Sequence, residues 1–380
     1  MRPINLFLIL SLVCLLGAVT VAEAQIIYGQ PASGDLKITY TSWKYTNDAD
    51  EETTISQFLI PIGGFIPLQD NMELRFQAAN TTQKAEYGDT ENKLSGLTDL
   101  RLQLNKSLSD DKYLLSLGLN LPTGKKELTT DDEVFVMAGL SENYLSFPVR
   151  LLGEGFGFNM LAGGAMTRGN SRLGGTVMFQ YNGKYKAYEN EGEYDPGEMF
   201  SVSVNADTKS EKALYSLSAV LTLYTDDKLN DNKIRKSSTQ VDFLAGAQFP
   251  GEKLTFAGNA RLLLRGRNTS YVPNTEEIEE QLRLYGNELT LAAALSYHPA
   301  KTWSFTPKAE LRMIGGNEYE STSTRYMDAS TIFGLGGSYA RKLGEDINGT
   351  VGFKYYTGSA DGGDYDLSGY QFTLGLQAAF

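Results

Sequence analysis

The strongest constraint on this chain is a two-residue hydrophobic period that runs to its last residue. Counting back from Phe380, the residues Ala378, Leu376, Leu374, Phe372 and Tyr370 are all apolar or aromatic, with Gln371, Thr373, Gly375, Gln377 and Ala379 between them. Successive strand side chains point to opposite faces, so this spacing predicts a strand with one apolar face. The pattern recurs upstream. Trp303, Phe305, Pro307, Ala309, Leu311 and Met313 alternate with Ser304, Thr306, Lys308, Glu310 and Arg312. Leu289, Leu291, Ala293, Leu295 and Tyr297 alternate with Glu288, Thr290 and Ser296, and Tyr113, Leu115, Leu117 and Leu119 alternate with Ser116, Gly118 and Asn120.

Such stretches fall near 35–45, 53–62, 70–80, 94–107, 112–122, 155–168, 171–186, 199–208, 212–225, 236–249, 253–267, 286–298, 302–315, 328–341, 347–358 and 369–380. Each is about long enough to cross a bilayer as a tilted strand. Short connections, such as Gly169-Asn170 and Pro250-Gly251-Glu252, alternate with long ones near 81–93, 123–154, 187–198, 226–235, 268–285, 316–327 and 359–368. The fold class predicted is all-β: a transmembrane antiparallel up-and-down barrel of about 14–16 strands, with short periplasmic turns and long external loops. After the first residues no apolar run is long enough to cross as a helix, whereas a barrel needs apolar side chains only at alternate positions. The 22 tyrosines and 18 phenylalanines suit aromatic girdles. A net charge of −12 disfavours nucleic acid as a partner.

The first residues read as a targeting segment. Arg2 supplies the positive start, the run from Ile4 to Val21 is apolar, and Ala22-Glu23-Ala24 has the small residues a signal peptidase requires before Gln25. The expected organisation is a signal peptide over 1–24 and a barrel over 25–380, placed in the outer membrane of a Gram-negative bacterium. A transmembrane anchor is disfavoured because no basic stop-transfer cluster follows, and a lipoprotein because Val13 precedes Cys14. Cleavage removes Cys14, the one cysteine, so disulfides and cysteine-metal sites are excluded from the mature chain.

Catalytic signals are weak. His298 is the one histidine and sits beside the Pro299 turn, and no nucleophile elbow, phosphate loop or metal cluster accompanies it. The expectation is no enzyme, no cofactor and no metal. The charged side chains predicted to line the lumen are Glu73, Arg75, Asp99, Arg101, Asp242, Arg261, Arg265, Glu288, Lys308, Glu310, Arg312 and Lys354. Buried in a barrel, they are expected to pair across the bore, forming either a selectivity lining or a salt-bridged core. Acidic residues such as Asp131, Asp132, Glu189, Glu191, Glu276 and Glu277 collect in the long loops. They read first as solvated loops, and second as sites for divalent ions bridging to lipopolysaccharide.

One connection differs from the rest. After Leu121-Pro122-Thr123-Gly124-Lys125, the segment Asp131 to Leu140 carries a capping pattern, Thr130 with Glu133, and predicts a short helix. Phe135, Met137, Leu140 and Leu145 make this loop too apolar for open water, so it is expected to fold over or into the mouth, as a plug or as the wall of an apolar substrate pocket. Pro307, in mid-strand on the predicted lipid face, lacks a ladder donor and is the candidate break in the wall.

Gly96-Leu97-Thr98-Asp99-Leu100, followed by Leu115-Ser116-Leu117-Gly118-Leu119-Asn120-Leu121-Pro122-Thr123-Gly124, resembles the G-x-x-D … L-x-L-P-T-G core of the meta-pathway phenol-degradation-like outer-membrane barrels. These are relatives of the long-chain fatty-acid and aromatic-hydrocarbon channels. The resemblance covers some 60–70 residues. It implies uptake of small hydrophobic molecules by passive or gated diffusion. The chain departs from the fatty-acid channels in lacking an N-terminal hatch segment, so their gating and ligand residues do not carry over. A general polar-solute porin and a closed barrel with a structural or surface-interaction role are the alternatives. The expected partners are outer-membrane lipid and lipopolysaccharide, the barrel-assembly machinery through the strand ending at Phe380, and a small-molecule substrate.

Overall fold

The structure is a computed structural model that describes residues 33–125, 127–189 and 191–379. The predicted signal peptide, Cys14 and Phe380 lie outside the described residues. In chain order the elements are β1 (Ser33–Asn47), β2 (Glu52–Gln69), β3 (Met72–Tyr87), β4 (Thr90–Leu97), β5 (Leu100–Leu108), β6 (Tyr113–Leu121), helix α1 (Asp131–Leu140), β7 (Gly157–Arg168) and β8 (Ser171–Asn182). There follow β9 (Tyr194–Asp195), β10 (Met199–Lys209), β11 (Leu214–Tyr224), β12 (Asp226–Leu229), β13 (Asn232–Lys236), β14 (Gln240–Pro250), β15 (Leu254–Arg265), β16 (Asn268–Tyr271) and β17 (Ile278–Leu282). The last are β18 (Glu288–Ala300), β19 (Trp303–Ile314), β20 (Ser330–Lys342), β21 (Ile347–Ala360) and β22 (Tyr365–Ala379).

Each long strand pairs with the next in antiparallel register, and the circle closes where β1 meets β22, from Ser33 opposite Ala379 to Asn47 opposite Tyr365. The result is a closed 16-strand barrel in which β4 and β5 count as one broken strand. Both pair with β3, and the register steps by one residue between the Asn80–Leu97 and Gln77–Arg101 pairs. That step is a bulge at Thr98-Asp99.

Alternation sets which side chains face out. On β20 the residues Phe333, Leu335 and Tyr339 are exposed outward, whereas Ile332, Gly334 and Gly336 face the bore. Phe353 and Tyr355 of β21, with Phe372, Leu374 and Leu376 of β22, continue the apolar outer belt around the closure seam. An apolar belt of this extent is stable only against lipid. At the short-turn end, Trp303 lies 6.1 Å from Tyr297 and 5.9 Å from Tyr339, and Phe249 lies within 6.2 Å of Tyr215 and 6.1 Å of Phe256. These rings form an interfacial girdle.

Two loop expectations need correcting. The connection predicted near 81–93 is instead a continuation of β3 and β4 up to a tight turn at Gly88-Asp89, with Tyr87 opposite Thr90. The segments near 226–235 and 268–285 are not irregular. They add β12, β13, β16 and β17, with β9, as a second five-stranded sheet at the long-loop end. Beneath it Asp227 and Arg235 form a buried pair at 2.7 Å, and Asp227 also accepts from the Tyr194 hydroxyl and the Gly197 N–H.

Leu374 tests the outer belt. Leu374→Arg is expected to cost roughly 2–4 kcal/mol if the position is near the bilayer midplane. Urea titration of the protein folded into lipid vesicles checks it, and an unchanged midpoint counts against a lipid-facing Leu374.

Candidate functional site

The connection between β6 and β7 does not stand clear of the barrel. Its helix packs against the inner wall near the mouth, and the segment after it spans the bore. Both roots are fixed by Asp99, at the β4–β5 bulge. One carboxylate oxygen accepts from the Gly124 N–H at 2.9 Å, and the other accepts from the Glu154 N–H and the Asn120 amide, each at 2.8 Å. The Asp99 N–H donates to Leu152 O at 3.1 Å. Gly124 fits because a Cβ there would lie 2.1 Å from Leu152 O. Thr123 joins the same knot, its hydroxyl accepting from the Leu100 N–H at 2.9 Å. The G-x-x-D and L-P-T-G segments are therefore one structural unit: the aspartate satisfies backbone donors that the loop roots leave unpaired.

Helix α1 starts as its sequence predicts, with the Thr130 hydroxyl accepting from the Glu133 N–H at 3.3 Å. The Glu133 carboxylate reaches one residue further back than a capping box requires, accepting from the Thr129 N–H at 2.9 Å, and it also pairs with Lys125. Val136, Met137 and Leu140 are buried, as is Leu145 just beyond the helix, while Phe135 is half-buried against the same cluster. Their partners come from the inner wall: Trp43 of β1, Ile55 of β2, Leu94 of β4, Ile314 of β19, Ile332 of β20 and Leu367 of β22. Trp43 stacks on Tyr356 at 4.8 Å, over Gly369, where a Cβ would come within 2.7 Å of the indole. Each large side chain buried here contributes on the order of 1.5–3 kcal/mol to holding the strap in place.

Beyond the helix the strap is held from both walls. Arg312 of β19 donates to Asn143 O at 2.8 Å, to Tyr144 O at 3.2 Å and to the Ser146 hydroxyl. On the far wall, Gln57 of β2 accepts from the Val149 N–H at 3.2 Å and donates back to Val149 O, which also receives Gln83 of β3 at 3.4 Å. The chain thus runs from the β19 wall to the β2–β3 wall within seven residues, through the bore. On the strap, burial and then the nearby Asp361 carboxylate push the Glu142 carboxyl up to about 7, against the pull of Arg150. Burial and the guanidinium of Arg312 push Arg150 down to about 10.

The charges expected to line the lumen do not pair across the bore. They pair along the wall. Arg261 donates to Asp242 on the adjacent strand at 2.7 Å, Arg312 to Glu288 at 2.7 Å, Arg265 to the same Glu288 at 3.4 Å, and Lys354 reaches Glu310 two strands away at 2.7 Å. Glu73 takes Arg75 from its own strand at 2.6 Å and Asn105 at 3.0 Å. Lateral partners are close and already desolvated, whereas a partner across the bore is too far to reach. Arg101 meets Glu154 at 3.4 Å, and Lys308 is exposed without an ion pair among the described residues. Asp99 leaves the lining set to anchor the strap. Met137, Leu140 and Leu145 belong to a packed core, with Phe135 at its edge. Pro307 sits opposite Gly337 of β20. Towards β18 the Ala294–Lys308 and Tyr297–Phe305 pairs keep one register, with the two positions between them outside the ladder. Gln57, Gln83, Glu142 and Arg150 were not singled out by sequence, because a lone amide in a strand or an acid in a loop carries no pattern.

This architecture defines a transmembrane β-barrel of the outer-membrane kind, with a strap in its bore. No family model matches the chain, and no curated protein is similar to it in sequence. Among solved structures it is similar to OprD of Pseudomonas aeruginosa, at 11% identity over 94% of this chain and 98% of that one, with a TM-score of 0.44. It is also similar to a Pseudomonas aeruginosa FadL homologue, at 9% over 92% and 90% with a TM-score of 0.43, and to the CymD monoaromatic hydrocarbon channel, at 10% over 92% and 89% with a TM-score of 0.43. The reading of the fold rests on the barrel's own register and closure.

Two outcomes follow. Arg312→Ala removes three strap contacts and leaves Glu288 paired with Arg265, a loss expected to cost roughly 1.5–3 kcal/mol, the scale of hydrogen bonds to a charged group. Limited proteolysis of the folded barrel should then cut within 125–150 far faster than in the parent, and equal cutting rates would show that the latch is idle. The second concerns pH. A carboxyl whose docked pKa is raised to about 7 stabilises the docked strap fully below its free value, and that stability is lost as pH rises through about 7. Cleavage of the strap should therefore quicken between about pH 5 and about pH 8, with Glu142→Gln flattening the rise. A Gln variant with the parent's profile would assign the dependence to another group.

Proposed function

We propose that the chain is an outer-membrane channel for uptake of small, hydrophobic molecules, closed at rest by the strap. One observation carries the reading: in a bore whose wall is otherwise polar and charged, the inward positions at the mouth are apolar, and the strap core covers them. A strap that lifts leaves Trp43, Tyr356, Ile332 and Leu367 facing the bore. An apolar solute can then occupy the surface that Met137, Leu140 and Leu145 vacate. Phe135, at the edge of that core, extends the apolar surface such a solute would meet. Two positions of the β18–β19 ladder drop out beside Pro307, bridged by the Thr306 hydroxyl donating to the Ser296 hydroxyl at 3.0 Å, and this weakened stretch is the candidate lateral way out through the wall.

The polar lower wall, with Ser116, Ser203 and Thr176 facing the bore, favours a second reading as a porin for polar solutes. Planar-bilayer conductance of the refolded chain without residues 1–24 separates them. The strapped-shut channel predicts little conductance, and a gain of tenfold or more when residues 125–150 are deleted. Large steady conductance in the intact chain would replace it with the porin reading. A deletion that stays silent would leave a closed structural barrel.

A further inference from the structure

Where the strap reaches the β15–β18–β19 wall, positive charge is in excess. Arg265 and Arg312 share one carboxylate, Glu288, the former through a long contact of 3.4 Å and the latter at 2.7 Å. Arg261 beside them is already matched by Asp242. Arg150 of the strap is near enough for the Arg312 and Arg265 charges to act on it, and it has no ion pair among the described residues. Its Nε is buried without an acceptor, and so is the Nε of Arg265, whose side chain is only 5% exposed. Glu142, the acid near Arg150, lies outside ion-pair contact with it and is held partly protonated near neutral pH. Two guanidinium groups therefore share one carboxylate with a third guanidinium nearby, and two buried N–H donors are unused. Like charges at this density oppose one another, and they are relieved by an anion that accepts several hydrogen bonds at once. A planar carboxylate matches a guanidinium fork. Tyr285, buried in the same neighbourhood, and the apolar strap core beside it give the rest of such a molecule an apolar surface to lie on.

We infer that Arg150, Arg265 and Arg312 form a binding site for the carboxylate of a small organic acid, seated between the strap and the barrel wall. This rests on the reading of the bore as a solute path and names a class of solute for it. Arg312 also holds the carbonyls of Asn143 and Tyr144, so a bound carboxylate competes with the strap for the same donors. Occupancy of the site therefore loosens the strap.

Equilibrium dialysis of the detergent-refolded barrel with benzoate, and with benzyl alcohol as its neutral counterpart, tests the site. Benzoate should bind saturably to the parent chain. Arg150→Gln should weaken benzoate at least tenfold and leave benzyl alcohol unchanged, with folding checked by heat-modifiable gel migration. If that variant does not fold, the parent alone decides: raising chloride should compete benzoate off and not benzyl alcohol. Absence of saturable benzoate binding, equal benzoate affinity in parent and variant, or indifference to chloride would overturn the site. Binding of benzyl alcohol without benzoate would overturn the anion site and leave the hydrophobic channel standing. Benzoate binding in a barrel that stays silent with the strap deleted would uphold the site and remove the channel.

Discussion

Hydrogen bonding of the backbone in a medium without water is the condition on which this structure depends. A strand edge left open in lipid exposes a row of amides and carbonyls, each costing several kcal/mol. The antiparallel seam between β1 and β22 removes that edge along fifteen register positions. Once the circle is closed, alternation does the rest. One face must be apolar because it meets lipid, and the other is released from that requirement because it meets the bore. The unsatisfied groups that remain are local: the bulge at Asp99, the ladder positions beside Pro307, and the roots of the long loop. At the bulge and the loop roots the chain places polar side chains that repair the deficit, and Asp99 repairs several at once.

Closure also creates a difficulty. A barrel of about 16 strands is too wide for its own side chains to fill. Something must occupy the bore or water will. Here the occupant is a segment of the same chain, whose apolar helix packs on an apolar ring of inner-wall residues while its following turn is tied by amides and a guanidinium. The two kinds of contact do different work. Apolar packing supplies most of the free energy of docking and is tolerant of position. Hydrogen bonds from Arg312, Gln57 and Gln83 fix where the strap crosses, because a carbonyl bound by a charged donor tolerates little displacement.

How much of this was readable beforehand depended on the range of the interaction. The strands were legible because each announces itself within a dozen residues, and all of those predicted are present in order. The helix was also visible, through Thr130 and Glu133, and so was the loop that becomes the strap, whereas the bulge at Thr98-Asp99 was not, because 94–107 reads as one uninterrupted strand. What stayed hidden was pairing between distant segments. Nothing near Asp99 in the sequence says that it will bind Gly124 and Glu154, and nothing near Arg312 says that its acceptors are carbonyls some 170 positions earlier. The expectation that lumen charges pair across the bore failed for a related reason: sequence gives the face of each charge but not the distance to its partner. The external sheet of β9, β12, β13, β16 and β17 was missed because its strands are two to five residues long, too short for the two-residue period to show.

The choice of backbone carbonyls as acceptors for Arg312 has a consequence for how such a strap behaves. A carboxylate partner would hold the guanidinium in a buried ion pair, and opening it would leave a bare charge on each side. Carbonyls are weaker acceptors, and Glu288 stays on the wall beside Arg312, so lifting the strap leaves the arginine still compensated. The strap loses its hydrogen bonds to water rather than to vacuum as it moves into the mouth. The barrier to opening is therefore set mainly by the apolar cluster around Trp43, Met137 and Leu140. That cluster is also the part of the site that an apolar solute can replace surface for surface. Closure by apolar packing, with polar contacts that are cheap to exchange, is the arrangement expected of a strap that must both seal a wide bore and yield to a solute of its own kind.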